Sequence, residues 1–100
     1  MAGRSATKLA QVRDELGIDA GLPLLVADAG DEAALMDLVK QTRVVLTTVG
    51  PYQRFGEPLI RACASAGTDY VDLCGEPGWM AQMIPKLQET AHASGARIVF

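Results

Sequence analysis

Four short runs dominated by apolar residues, at 23–27, 43–49, 69–73 and 97–100, are separated by segments each long enough for a helix. The first two are nearly continuous in apolar character, the pattern of a strand buried on both faces. Strands that recur with a helix between them are joined in parallel, because a parallel connection needs a crossover. The expected architecture is therefore α/β: a mostly parallel sheet in a three-layer arrangement, covered by helices on both faces.

The intervening segments carry helix signals. Ser5 suits an N-cap, with Leu9, Val12 and Leu16 on one stripe and Gly17 as the stop. Asp31 caps a second helix whose Leu35, Leu38 and Val39 face inward. Glu57 and Pro58 suit the first turn of a third, which buries Leu59, Ile60, Cys63 and Ala66 and ends at Gly67. A fourth is expected from Trp79 to Ser94, closed by Gly95, with Met80, Met83, Ile84, Leu87 and Ala91 at helical spacing and a kink or a later start at Pro85.

Bulk properties exclude several functions. At 100 residues the chain forms one domain at most. Its net charge is −3, with no cluster of Lys and Arg interleaved with aromatics, which argues against a nucleic-acid partner. No apolar stretch approaches the ~20 residues of a membrane span, and no secretory signal follows the basic residue near the start, so a cytoplasmic location is expected. Cys63 and Cys74 are not in a Cys-x-x-Cys pair and have no neighbouring His, so no metal site is expected. His92 lies in a polar stretch and is given no role.

In parallel sheets ligands gather beyond the carboxyl ends of the strands. Three polar exits emerge there: Asp28-Ala29-Gly30, Val49-Gly50-Pro51-Tyr52 and Cys74-Gly75-Glu76. The stretch Gly50-Pro-Tyr-Gln-Arg-Phe-Gly56 is a poor phosphate loop, because it lacks a Gly-Lys-Ser/Thr ending and Pro51 removes a backbone donor. Tyr52, Glu57 and Glu76 are the polar groups that could face a substrate, although Glu57 also suits a helix dipole and Tyr52 a packed loop anchor. Cys74 reads as a small apolar filler in preference to an activated thiolate. No residue is assigned as catalytic.

Three stretches, "AGRS" with Lys8-Leu9, "TVGPYQRFGEPLIRAC" and "AGTDYVDLCGEP", occur in order over nearly the whole chain. Together they resemble the saccharopine dehydrogenase-like oxidoreductases, including the trans-acting enoyl reductase branch. The resemblance implies that 1–100 is part of an NAD(P)-binding Rossmann domain, truncated at the N-terminus, entered at the end of its second strand and without the first strand, the Gly-x-Gly-x-x-Gly turn and the substrate domain. It implies that Arg4 and Ser5 meet the adenosine ribose. Donors there favour a 2′-phosphate, hence NADP, with NAD as the lesser option. Asp28 would lie near the adenine, and Val49, Gly50 and Pro51 along the pyrophosphate and nicotinamide ribose, with Tyr52 and Glu76 on the substrate side. From the residues alone, Arg4 is equally a solvated side chain and Ser5 a plain cap.

The implied function is the nucleotide-binding part of an NAD(P)-dependent oxidoreductase acting on a small molecule, inactive by itself. The rival reading is a non-catalytic Rossmann-like binding or scaffold protein. Without the first strand, the strands at 23–27 and 43–48 are expected to pair directly or to leave edges that pair with another copy, so self-association through exposed sheet edges is expected.

Overall fold

The computed structural model describes residues 1–100. The order is β1 (Ala2–Gly3), α1 (Ala6–Glu15), β2 (Leu25–Val26), α2 (Glu32–Val39), β3 (Val44–Thr47), α3 (Tyr52–Ala66), β4 (Asp69–Asp72), α4 (Pro77–Ser94) and β5 (Ile98–Val99). All strand pairs are parallel: β1 with β2, and β3 with β4 and β4 with β5. They form two sheets, of two and three strands. The α/β architecture is as the sequence implies, with one added strand, β1, before the first helix.

Local signals act where the sequence puts them. Ser5 Oγ accepts from the Lys8 N–H and Asp31 Oδ1 from the Ala34 N–H, capping α1 and α2. Gly67 and Gly95 end α3 and α4 with φ of +77° and +84°, a left-handed geometry that glycine adopts without a Cβ clash.

Two helix starts differ from expectation. Helix α3 begins at Tyr52 and runs through Pro58, so Glu57 is an interior residue and not a first-turn acid. Helix α4 begins at Pro77 and runs uninterrupted through Pro85. Pro77 occupies the first turn, where its missing N–H costs no helical bond.

The core lies on one face of β3–β5. Ile60 and Cys63 of α3, Val39 of α2 and Tyr70 of β4 are fully buried, and Tyr52, Ala62 and Ala64 of α3 with Trp79, Met83 and Leu87 of α4 complete the cluster. Full burial of side chains such as Ile60 and Val39 contributes about 1.5–3 kcal/mol each. Side chains alternate across a strand, so Val45, Thr47, Tyr70 and Asp72 point into this core while Val44, Leu46, Val71 and Leu73 point the other way.

That opposite face is bare. Leu46 is 65% exposed, Leu73 73% and Val99 55%. Of the helical cover expected on both sides, these three strands have it on one. Exposure also corrects the stripes: Val12 and Leu16 of α1, Ile84 of α4 and Ala66 of α3 face solvent.

Direct pairing of 23–27 with 43–48 does not occur. Strand β2 pairs with β1, and β1 and β3 are the strands left with unpaired edges along a shared cleft. Ala2 and Gly3 line it on one side, Val45, Leu46 and Thr47 on the other, with Leu35, Leu38 and Leu59 at its floor.

Candidate functional site

The carboxyl ends of β1, β2 and β3 border that cleft, since Gly3, Ala27, Ala29, Thr48 and Val49 all line it. Gly3 is packed tightly beneath the first helix: an added Cβ would lie 3.2 Å from Leu9 Cδ2. This contact brings the start of α1 onto the strand end and sets Arg4 and Ser5 at the rim.

A second hollow opens on the far side of Gly3, with a volume of about 470 Å³, and is lined by Arg4, Ser5 and Lys8 together with Met1, Leu9 and Val12. Arg4 and Lys8 are exposed, and neither side chain has a hydrogen bond or ion pair within the chain. Ser5 Oγ accepts the Lys8 N–H at 3.2 Å, which leaves its own O–H free to donate. No carboxylate lines the hollow. Two cations and a hydroxyl donor around one opening suit a phosphate group, whereas a ribose 2′-hydroxyl read by an acid has no partner here.

Other expected site residues fall near the first cleft. Asp28 Oδ1 accepts the Gly30 N–H at 2.8 Å, shaping the turn after β2. Val49 lines the cleft and its N–H donates to Thr47 Oγ1, while Gly50 and Pro51 are exposed beyond it.

Tyr52 is buried, and its hydroxyl donates to the Thr47 carbonyl at 3.2 Å and accepts the Leu73 N–H at 3.3 Å. It joins the exits of two neighbouring strands. Glu76 accepts the Tyr52 N–H through Oε2 at 2.7 Å and the Gln53 N–H through Oε1 at 3.1 Å. Its carboxylate serves as the cap of α3.

Around Tyr52 the polar groups of Asp72, Tyr70 and Cys74 have partners, whereas the buried Trp79 indole N–H has none. Buried Asp72 accepts the Tyr70 hydroxyl at 2.6 Å and the Cys74 N–H at 2.9 Å. Burial, with the Asp72 carboxylate beside it, pushes the Tyr70 phenol well above its ordinary range. Cys74 Sγ accepts the Glu76 N–H at 3.3 Å, a turn contact consistent with a filler role. Cys63 is pushed up to about 12 by burial, which makes it an inert thiol. No group of three His, Cys, Asp or Glu side chains is placed to hold a metal ion, and no helix is long and apolar enough to cross a membrane.

Residues 1–99 match the family described as the saccharopine dehydrogenase NADP binding domain. The chain belongs to this family. It is 49% identical over 100 residues to the trans-acting enoyl reductase of Mycobacterium ulcerans (strain Agy99), an alignment covering 99% of this chain and 24% of that protein. The trans-acting enoyl reductases of Mycobacterium leprae (strain TN) and Mycobacterium bovis (strain BCG / Pasteur 1173P2) are 48% and 47% identical, with the same shares covered. The chain thus spans about a quarter of the length of these relatives. No solved structure gives a significant match.

Arg4 and Ser5, expected together from the sequence, line one hollow, and Lys8 joins them there. Lys8, part of the same stretch but given no role by the sequence, is the added cation. Its signal was present, since position 8 lies on the first helical turn after Arg4 and Ser5, where a side chain returns toward the capping residue.

Proposed function

We propose that this domain binds NADP with the 2′-phosphate of the adenosine held by Arg4, Ser5 and Lys8. The observation that carries the reading is the hollow in which these three converge, with free cationic heads and no acid. Arg4 offers a bidentate guanidinium, Lys8 a point charge and Ser5 a hydroxyl donor. Each charge-assisted bond contributes about 1.5–3 kcal/mol, so losing one weakens binding roughly ten- to hundredfold. Asp28 would border the adenine, and Val49, Gly50 and Pro51 the rest of the nucleotide along the first cleft. When bound, NADPH supplies hydride; the residues of this chain orient it and exclude water.

The relatives' name supports an oxidoreductase that reduces an enoyl group in trans as the activity of a protein carrying this domain, with a small-molecule substrate. Tyr52 and Glu76 contribute to it by fixing the strand exits and the start of α3. Two free thiols, Cys63 and Cys74, fit a reducing compartment, and we infer a cytoplasmic protein.

Titration with NADPH and NADH of the chain and of Arg4→Ala tests the reading. Preference for NADPH that collapses in Arg4→Ala is the expected result. Equal affinity of both proteins for NADPH would remove Arg4 from the site, and no nucleotide binding at all would favour a scaffold role.

We further infer self-association through the outer edges of β2 and β5, flanked by the exposed Val26 and Val99. Sedimentation at micromolar concentration tests this, and a monomer at every concentration would refute it.

A further inference from the structure

The loop from Thr48 to Pro51 leaves β3 beside the first cleft and is closed on itself by two hydrogen bonds. The Val49 N–H donates to Thr47 Oγ1 at 3.2 Å, and the Tyr52 hydroxyl, from the first residue of α3, reaches back to the Thr47 carbonyl at 3.2 Å. Thr47 is buried, so this anchor is shielded from solvent. The same tyrosine grips the turn after β4 at both ends. Its hydroxyl accepts the Leu73 N–H at 3.3 Å, and its own N–H donates to Glu76 Oε2 at 2.7 Å. Between them Asp72 holds the turn down, accepting the Cys74 N–H through Oδ1 and the Tyr70 hydroxyl through Oδ2.

The position of that hydroxyl is informative. The β3–β4 ladder ends at the pair Thr47 and Asp72, and the next rung of a parallel ladder would join the Leu73 N–H to the Thr47 carbonyl. Both of those groups bond to the Tyr52 hydroxyl, which therefore replaces the last rung with a side-chain bridge. Packing alone does not require it. The ring lies against Trp79 at 5.7 Å between centroids, a space that phenylalanine would fill equally.

We propose that Tyr52 is a positioning residue for the nucleotide: it holds the Thr48–Pro51 loop in the shape that meets the nucleotide in the first cleft and locks it to the turn after β4, so that the two strand exits act as one piece. The proposal rests on the NADP reading, in which Val49, Gly50 and Pro51 border the nucleotide, and it divides the work of that site. Arg4, Ser5 and Lys8 distinguish the phosphorylated nucleotide, whereas a loop shaped in advance lowers the ordering cost for NADPH and NADH alike. Tyr52 acts through the Thr47 and Leu73 backbone and needs no contact with the ligand.

Tyr52→Phe tests this, because it keeps the ring against Trp79 and removes both hydroxyl bonds. Amide exchange at Leu73 and Val49 is followed in the nucleotide-free chain, and NADPH and NADH are titrated into the chain and the variant. The expected result is exchange faster by about three- to tenfold at both amides, and weaker binding of both nucleotides by a similar factor, with their ratio unchanged. Gly67→Ala, at the far end of α3, disturbs the fold away from the bridge and should leave both affinities as they are. Glu76→Gln, which loosens the same turn, should give the Tyr52→Phe pattern more weakly and serves in its place where Tyr52→Phe does not fold. Unchanged exchange at Val49 overturns the bridge, and faster exchange with unchanged affinities overturns the positioning role. An altered NADPH-to-NADH ratio, or an equal loss of affinity in Gly67→Ala, overturns it as well. Failure of the unaltered chain to bind either nucleotide overturns the NADP reading and this proposal together, a result distinct from all the others.

Discussion

Glu76, in the loop after β4, caps a helix that begins 24 residues earlier: its two carboxylate oxygens accept the backbone N–H groups of Tyr52 and Gln53. Pro51, the residue before that helix, offers no side-chain acceptor, so Glu76 supplies both. Removing it in Glu76→Ala should destabilise the domain by about 1–3 kcal/mol through two orphaned donors and a lost charge at the helix dipole. Glu76→Gln should lose about half as much. Urea midpoints measure both, and faster exchange of the Tyr52 and Gln53 amides locates the effect.

Gly56 sits where α3 meets α4, and an added Cβ would lie 2.8 Å from Trp79 Cζ2. Gly56→Ala should therefore push the indole aside, cost about 1–3 kcal/mol and shift the tryptophan emission. Gly67→Ala should also destabilise, for a different reason: its φ is +77° and the new Cβ would lie 2.8 Å from the Ser94 carbonyl oxygen. Thermal melts with emission spectra distinguish the two, since only the first should alter the emission of the folded state.

What the sequence made legible was local. Continuous apolar runs indicated parallel strands, and Ser5, Asp31, Gly67 and Gly95 marked helix ends through bonds or backbone angles within a few residues. The start of α3 was hidden because its cap comes from Glu76, distant in sequence, and because Pro58 inside the helix reads as a beginning. Leu46 and Leu73 read as core and prove exposed, since apolar character indicates that a face wants cover but not whether this chain provides it. At the candidate site, Arg4 and Ser5 were named from their resemblance to a family corner, and they line one hollow. Lys8 required the turn of α1 to show that it faces the same hollow.

Acid should weaken the fold at the start of β4 and on α3. Arg97, through side-chain and backbone hydrogen bonds, holds the Asp69 carboxyl below its ordinary range, and Lys86 does the same for Glu57. A lowered folded-state value means the stabilisation is present above the ordinary carboxylate range and is lost as pH falls through the folded value. Stability should be flat from pH 7 to about 5 and decline below about 4. In Asp69→Asn that decline should be shallower, as read from melts across the acid range.

The two thiols should react in order. Cys74 is half-buried in a turn, while Cys63 is fully buried and its thiol is raised to about 12. An aromatic disulfide reagent near pH 8 should label Cys74 in the folded protein and Cys63 only after denaturant is added. Because the raised value favours the protonated native thiol, Cys63 contributes stability below the ordinary thiol range that is lost as pH climbs toward 12. A steeper alkaline decline in the chain than in Cys63→Ala is the corresponding expectation.

Lys8→Ala should weaken NADPH binding by about tenfold while leaving NADH nearly unchanged, because a lysine contact to phosphate is lost only with the phosphorylated nucleotide. Added salt should narrow the difference, since the hollow is open to solvent. Calorimetric titration at two ionic strengths provides both comparisons.

Trp79, the chain's one tryptophan, lies between Tyr52 and Phe100, tilted against the first and edge-on to the second, with ring centroids 5.7 and 5.5 Å away. Its ring therefore joins a residue next to the strand exits to the last residue of the chain. A single optical signal consequently reports on both contacts, so the same emission registers a disturbance beside Phe100 and one at the mouth of the β3 loop.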